Sequence, residues 1–194
     1  MTYSLIDATA RRTCPLGMVR RLVAILSADV QGYSRLMRAD ETATIRTLKA
    51  YRGLMASLIQ QYQGRVVDDP GDNLLAEFSS VVEAVQCAVS IQRTLAARNA
   101  VQPRHRQMVF RMGLHMGDVV VDQGRLYGDT VNLAARLEGV AEGGGLCISD
   151  TVYDHVAPRL PLDYRVLGVW MSEDMPTPVW VYRVQVGRLS MAPR

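Results

Sequence analysis

The chain has 194 residues, 48% of them hydrophobic, and 22 basic against 19 acidic side chains for a net charge of +3, which suits one domain with a substantial core and leaves little room for two. Apart from Arg11, Arg12, Arg20 and Arg21 the arginines are scattered, unlike the concentrated basic face of a nucleic-acid binder, and no apolar run approaches the roughly 20 residues a membrane span needs. Cys14, Cys87 and Cys147 are far apart and lack zinc or disulfide spacing, so the expectation is a soluble, cytoplasmic protein with no nucleic-acid and no membrane partner.

Residues 1–19 show no period and are broken by Pro15 and Gly17, and so read as a flexible leader. Leu22 to Ala28 is a short apolar run without alternation, as expected of a strand covered on both faces. It ends in Asp29, followed by Val30, Gln31, Gly32, Tyr33 and Ser34, where the chain leaves the core and offers a carboxylate and backbone N–H groups to a metal or a phosphate. A helix-capping role for Asp29 is the alternative. From Glu41 to Tyr62, Ile45, Leu48, Met55, Ile59 and Tyr62 recur at helical spacing. Arg65 to Val67 and Leu74 to Phe78 then read as a hairpin around Asp69, Pro70, Gly71 and Asp72, with Asp72 at or beside its tip as either a turn former or a ligand.

A second helix is predicted from Ser80, or Ser79, as its cap to about Asn99. Met108 to Met116 reads as a strand, and Val119 to Val121 as another after a bend at Gly117 and Asp118, with Arg111 and His115 in ordinary strand positions. Tyr127 to Gly139 is predicted helical, started by Asp129 and Thr130, and it sets Asn132 and Arg136 one turn apart on a shared face. Such a pair can hold a sugar oxygen and a phosphate, or simply form a solvated face. Gly143, Gly144 and Gly145 lead into a strand, Leu146 to Ser149, and lack the Lys and Ser or Thr of a phosphate-binding loop. Asp150 is expected to cap a short helix through His155, and Leu162 to Trp170 and Val179 to Val186 form closing strands joined by a loop with Pro176 and Pro178. The class is α+β, a ferredoxin-like βαββαβ core with a βαβαββ-type C-terminal addition; residues 20–186 form the domain and 187–194 a tail.

Four segments now stand in order: SADVQGYSRLM (27–37), DPGDNLLAEF (69–78), FRMGLHMGDV (110–119) and YGDTVNLAARLE (127–138). Together they resemble the catalytic domain of the class III nucleotidyl cyclases, from about Arg20 to Val184. The resemblance implies the nucleotide cyclase fold and conversion of ATP or GTP to a 3′,5′-cyclic monophosphate and pyrophosphate. Asp29 and Asp72 match the family's metal acids, which would hold two Mg²⁺ or Mn²⁺ ions with the Val30 carbonyl as a further ligand. The backbone of Gly32, Tyr33 and Ser34 matches the turn that cradles the triphosphate. Asn132 matches the residue that orients the ribose and Arg136 the one that steadies charge on the α-phosphate. In the family these two act across a dimer interface from the metal acids, which implies a homodimer with shared sites and an inactive monomer.

The chain departs from that pattern where the family's adenylate cyclases read adenine, with a Lys four residues before the second metal acid and an Asp seven before the Asn. Here Asp68 and Arg125 stand there, so the charges are exchanged. Guanine offers donors at N1 and N2 and an acceptor at O6, which suits an acid at 68 and a base at 125; the alternative is that Asp68 and Arg125 pair with each other and read the base poorly. Near the C-terminus, where many relatives carry a Lys for the triphosphate, a loose alignment puts Glu173. The competing expectation is a non-catalytic cyclase-homology domain that dimerises or binds nucleotide for regulation. A small RNA-binding domain fits less well, because the second strand pair lacks an aromatic stacking pair.

Overall fold

The computed structural model describes residues 19–68, 71–122, 125–172 and 175–186. The long first strand, β1 (Val19–Val30), alternates between two buried faces. Ala24, Leu26, Ala28 and Val30 point into the main core, while Val23 and Ile25 join a smaller cluster on the opposite face. An uninterrupted apolar run is what two buried faces require. After Gly32 comes a short helix, α1 (Tyr33–Ala39), which the sequence reading missed, and then α2 (Glu41–Gln61), capped by the Asp40 side chain accepting from Ala43 N at 3.0 Å. Thr44, Leu48, Tyr51, Met55 and Ile59 form the buried stripe of α2; Ile45, expected inside, is 37% exposed because Thr44 takes the inward position.

Strands β2 (Gly64–Asp68) and β3 (Leu74–Phe78) form the expected hairpin, with Gly71 at φ 59° in the turn. Helix α3 (Val81–Ala100) starts at Ser80, whose side chain accepts from Glu83 N. Its buried Gln92 donates to the carbonyls of Phe110 and Gly145 at 3.0 and 2.8 Å and so ties the helix to the sheet. Strand β4 (Phe110–Asp122) is continuous, and the expected bend at Gly117 and Asp118 is absent: these residues pair with Val23 and Leu22 inside an unbroken antiparallel ladder with β1. A short β5 (Arg125–Tyr127), also missed, folds back on the end of β4.

Helix α4 (Asp129–Val140) crosses the second face of the sheet and packs on β4, β1 and β6 (Leu146–Ser149). Gly113 allows the crossing, since a Cβ there would collide with the backbone of Ala134 and Glu138. The start of α4 differs from the expected capping by Asp129 or Thr130. Gly128 is its N-cap and no side chain caps it; buried Thr130 instead donates to the Asp118 carbonyl at 2.7 Å and fastens the helix to β4. Helix α5 (Asp150–Val156) is capped by Ser149 rather than Asp150, whose carboxylate accepts from Thr151 N and Trp180 N.

Strands β7 (Tyr164–Ser172) and β8 (Met175–Val184) close the chain. Pro176 and Pro178 fall within β8, not in a loop; β6 meets β8 only over Val181–Val184, so neither proline interrupts that ladder. The sheet order is β2-β3-β1-β4-β6-β8-β7, with β5 on β4. Its first four strands have the ferredoxin-like arrangement expected, and the whole is a single mixed α+β domain fold. Helices α1, α2, α3 and α5 bury the main core on one face, and α4 covers part of the other. Among the described residues no helix is long and apolar enough to cross a membrane.

Candidate active site

On the face carrying α4, four ionisable side chains from three elements and one turn converge. Asp29 is the penultimate residue of β1, and the antiparallel register sets it directly opposite Arg111 on β4. Arg111 Nη2 donates to Asp29 Oδ2 at 2.6 Å, and the same nitrogen lies 3.2 Å from Glu138 Oε1 on α4. Glu138 Oε2 accepts from Ser27 Oγ at 3.3 Å. The carboxyl of Glu138 is pushed up to about 7, first by burial and then by the charge of Asp29, against the pull of Arg111 and Ser27.

Asp72 follows the β2–β3 turn and completes the group. Burial raises its carboxyl above the ordinary range, and the adjacent Asp29 raises it further. Arg52 on α2 donates to the Asn73 carbonyl at 2.6 Å and holds this turn against the helix. The structure therefore brings Asp29 and Asp72 together. Val30, at the end of β1, buries its side chain in the main core on the opposite face, so only its backbone adjoins Asp29. Gly32 adopts φ 71° and its carbonyl accepts from the N–H groups of Arg35 and Leu36, so Tyr33 and Ser34 open the first turn of α1, where N–H groups lack intrahelical partners. The Tyr33 ring packs against the main core, leaving its backbone for any ligand role.

Asn132 and Arg136 occupy the outward side of α4. Asn132 is exposed, and the Arg136 guanidinium lies over the Trp170 ring, 5.0 Å from its centroid. Trp170 is on β7, with β4, β6 and β8 between it and β1. At about 100° per residue Arg136 and Glu138 point roughly 200° apart, so one helix sends Glu138 toward Asp29 and Arg136 away from it. Within a single chain Asn132 and Arg136 do not join the carboxylates. Asp68 and Arg125, both exposed, end β2 and begin β5, two strands that lie against each other. Glu173 lies outside the described residues.

Two participants escaped the sequence reading. Arg111 looks in the sequence like an ordinary strand residue, yet it is the cation that joins Asp29 to Glu138; its signal is the cross-strand register, which a single strand does not display. Glu138 looked like one more helix acid, and only the close crossing at Gly113 buries it. His115 makes no contact with this group; its Nδ1 lies 2.8 Å from Ser149 Oγ, and burial pushes it down to about 4 against the opposing charge of Asp150.

A family model described as the Adenylate and Guanylate cyclase catalytic domain matches residues 20–166. The chain belongs to this family. The cyclase domain is 42% identical over 164 residues to the Rhizobium meliloti (strain 1021) protein named "Putative adenylate cyclase 3", covering 84% of this chain and 28% of that relative. It thus spans less than a third of that relative's length. Among solved structures, an adenylate/guanylate cyclase/hydrolase from Silicibacter pomeroyi superposes with a TM-score of 0.78 at 37% identity, covering 85% of this chain and 96% of that one. The adenylyl cyclase CyaB from P. aeruginosa shares the fold at a TM-score of 0.78 and 22% identity, over 89% and 98% of the two chains.

Proposed function

We propose that this cyclase domain converts a nucleoside triphosphate to its 3′,5′-cyclic monophosphate and pyrophosphate in a site shared between two copies of the chain. The observation that carries the reading is the pairing of Asp29 and Asp72, two carboxylates held against each other by separate elements. Adjacent acids repel when both are ionised, and oxygen donors of this kind suit a hard divalent cation that relieves the repulsion. The residues fit Mg²⁺ or Mn²⁺, held by Asp29, Asp72 and the Val30 carbonyl with two ions per site. Divalent ions held by these residues would supply Lewis-acid activation of the ribose 3′-hydroxyl and charge neutralisation for the pyrophosphate leaving group.

The chain's own groups do the rest. Arg111 and Arg52 hold Asp29 and the Asp72 turn in place. The backbone of Gly32, Tyr33 and Ser34 receives the triphosphate. Asn132 orients the ribose, and Arg136 stabilises charge that grows on the α-phosphate. Because α4 turns these two away from their own Asp29, a second copy supplies them, and a symmetric homodimer has two such sites. Asp68 and Arg125 meet the base; their exchanged charges favour guanine more than in the family's adenylate cyclases.

A second reading, a non-catalytic dimerising or nucleotide-binding module, draws on that same exchange. Incubation of the purified chain with Mn²⁺ and either ATP or GTP, beside an Asp72→Ala control, decides between them. Cyclic product that disappears in the control is expected. A dimeric protein that forms none from either triphosphate would favour the module.

A further inference from the structure

Asp29, Arg111 and Glu138 set one guanidinium between two carboxylates, and the two acids are buried unequally. The Glu138 side chain is 7% exposed and that of Asp29 19%, so the acid on α4 is walled off from solvent while the one on β1 is within its reach. A single nitrogen of Arg111, Nη2, serves both, at 2.6 Å from Asp29 and 3.2 Å from Glu138. Arg111 Nε is buried without a hydrogen-bond partner. An orphaned buried donor costs free energy, and an arginine that grips a carboxylate with two parallel hydrogen bonds has donors on more than one nitrogen to offer. Glu138 is itself held for such a grip: Ser27 Oγ donates to its Oε2, and the close crossing at Gly113 fixes its backbone against β4.

We propose that Glu138 is a positioning residue that draws Arg111 off Asp29 when a divalent cation arrives, so that Asp29 is released to hold the cation. The inference rests on the reading of Asp29 and Asp72 as cation ligands. Until then Arg111 keeps Asp29 in place, but it does so on Oδ2, an oxygen a cation needs, and its charge repels a second positive charge beside it. The guanidinium therefore needs another acid to turn to. Glu138 lies within 3.2 Å of the same nitrogen, and a rotation toward it tightens that contact and gives the orphaned Nε an acceptor. With the cation absent, one arginine serves two carboxylates; with it bound, each carboxylate has a positive partner of its own. Without Glu138, the same arginine would be a built-in competitor for the cation's place on Asp29.

The readout is binding of Mn²⁺ to the full chain, followed by water-proton relaxation at about pH 8, where the Glu138 carboxyl is ionised. Glu138→Gln keeps the shape of the side chain and removes its charge. It should raise the Mn²⁺ dissociation constant about 10-fold, because Arg111 stays on Asp29. Adding Arg111→Gln to that variant removes the competitor and should return the constant to within about 3-fold of the parent's, a rescue that a merely structural role of Glu138 would not give. The parent alone supplies a second measurement: the Nε–H resonance of Arg111 in ¹⁵N NMR should shift on saturation with Mg²⁺ as it gains an acceptor. A Glu138→Gln protein that binds Mn²⁺ as tightly as the parent, a loss that persists in the double variant, or an Nε–H resonance unmoved by Mg²⁺ would overturn the exchange and leave the cation site standing. A parent that binds no Mn²⁺, or an Asp72→Ala variant that binds it equally well, would instead refute the cation site, and the exchange with it.

Discussion

Glu138 and His115 should give the cation-free protein two strong pH dependences that nearly cancel. The carboxyl of Glu138 stands at about 7 against an ordinary 4.5, so its contribution to stability is complete below pH 4.5 and is lost as pH rises to about 7. His115 stands at about 4 against an ordinary 6.5, so its contribution is complete above pH 6.5 and is lost as pH falls to about 4. Each displacement is about 2.5 pH units, worth ~3 kcal/mol at about 1.4 kcal/mol per unit. Between about pH 4.5 and 6.5 the two slopes oppose each other. Urea unfolding across about pH 4.5 to 8, with chelator present, separates them. Glu138→Gln should gain ~3 kcal/mol relative to the parent on going from acid to alkaline pH, and His115→Gln should gain ~2 kcal/mol on going from about pH 7 to 5. A fixed packing cost moves either curve bodily and leaves its slope. Differences from the parent that stay flat with pH in both variants would refute the burial of these two groups as described.

Gly113→Ala drives a methyl group into the backbone of α4 and should destabilise the fold by ~3 kcal/mol or more, read from the urea midpoint. Arg52→Ala frees the carbonyl of Asn73 and loosens the Asp72 turn, so the Mn²⁺ concentration for half-maximal activity should rise about 10-fold while the fold persists in circular dichroism. The double exchange Asp68→Lys with Arg125→Asp should move the ratio of ATP to GTP turnover toward ATP; an unaltered ratio would remove these residues from the base pocket.

Much of this molecule was legible in its sequence, and the exceptions share a cause. The strands Leu74–Phe78 and Leu146–Ser149 and the Ser80 cap emerge where expected, because each is set by local pattern and turn chemistry. Asp29 and Asp72 stand out for a similar reason: one ends a buried run, the other follows a Pro-Gly turn. Long-range pairing is invisible in a local reading. The continuity of β4 through Gly117 comes from its ladder with β1, and the missed β5 exists only because β4 offers an edge for it. Likewise Arg111 and Glu138 acquire their contacts from a cross-strand register and a helix crossing.

The shared site is tested most directly by mixing two disabled proteins. Asp72→Ala lacks a proposed metal acid and Arg136→Ala the cation proposed to face the phosphate, and each alone should produce no cyclic nucleotide with Mn²⁺. After subunit exchange of equal amounts, half of the dimers pair one of each and hold one intact site in two, so activity should return to about a quarter of the parent's. A mixture that stays as inactive as its components, with exchange shown by labelled subunits, would contradict a site built from two copies.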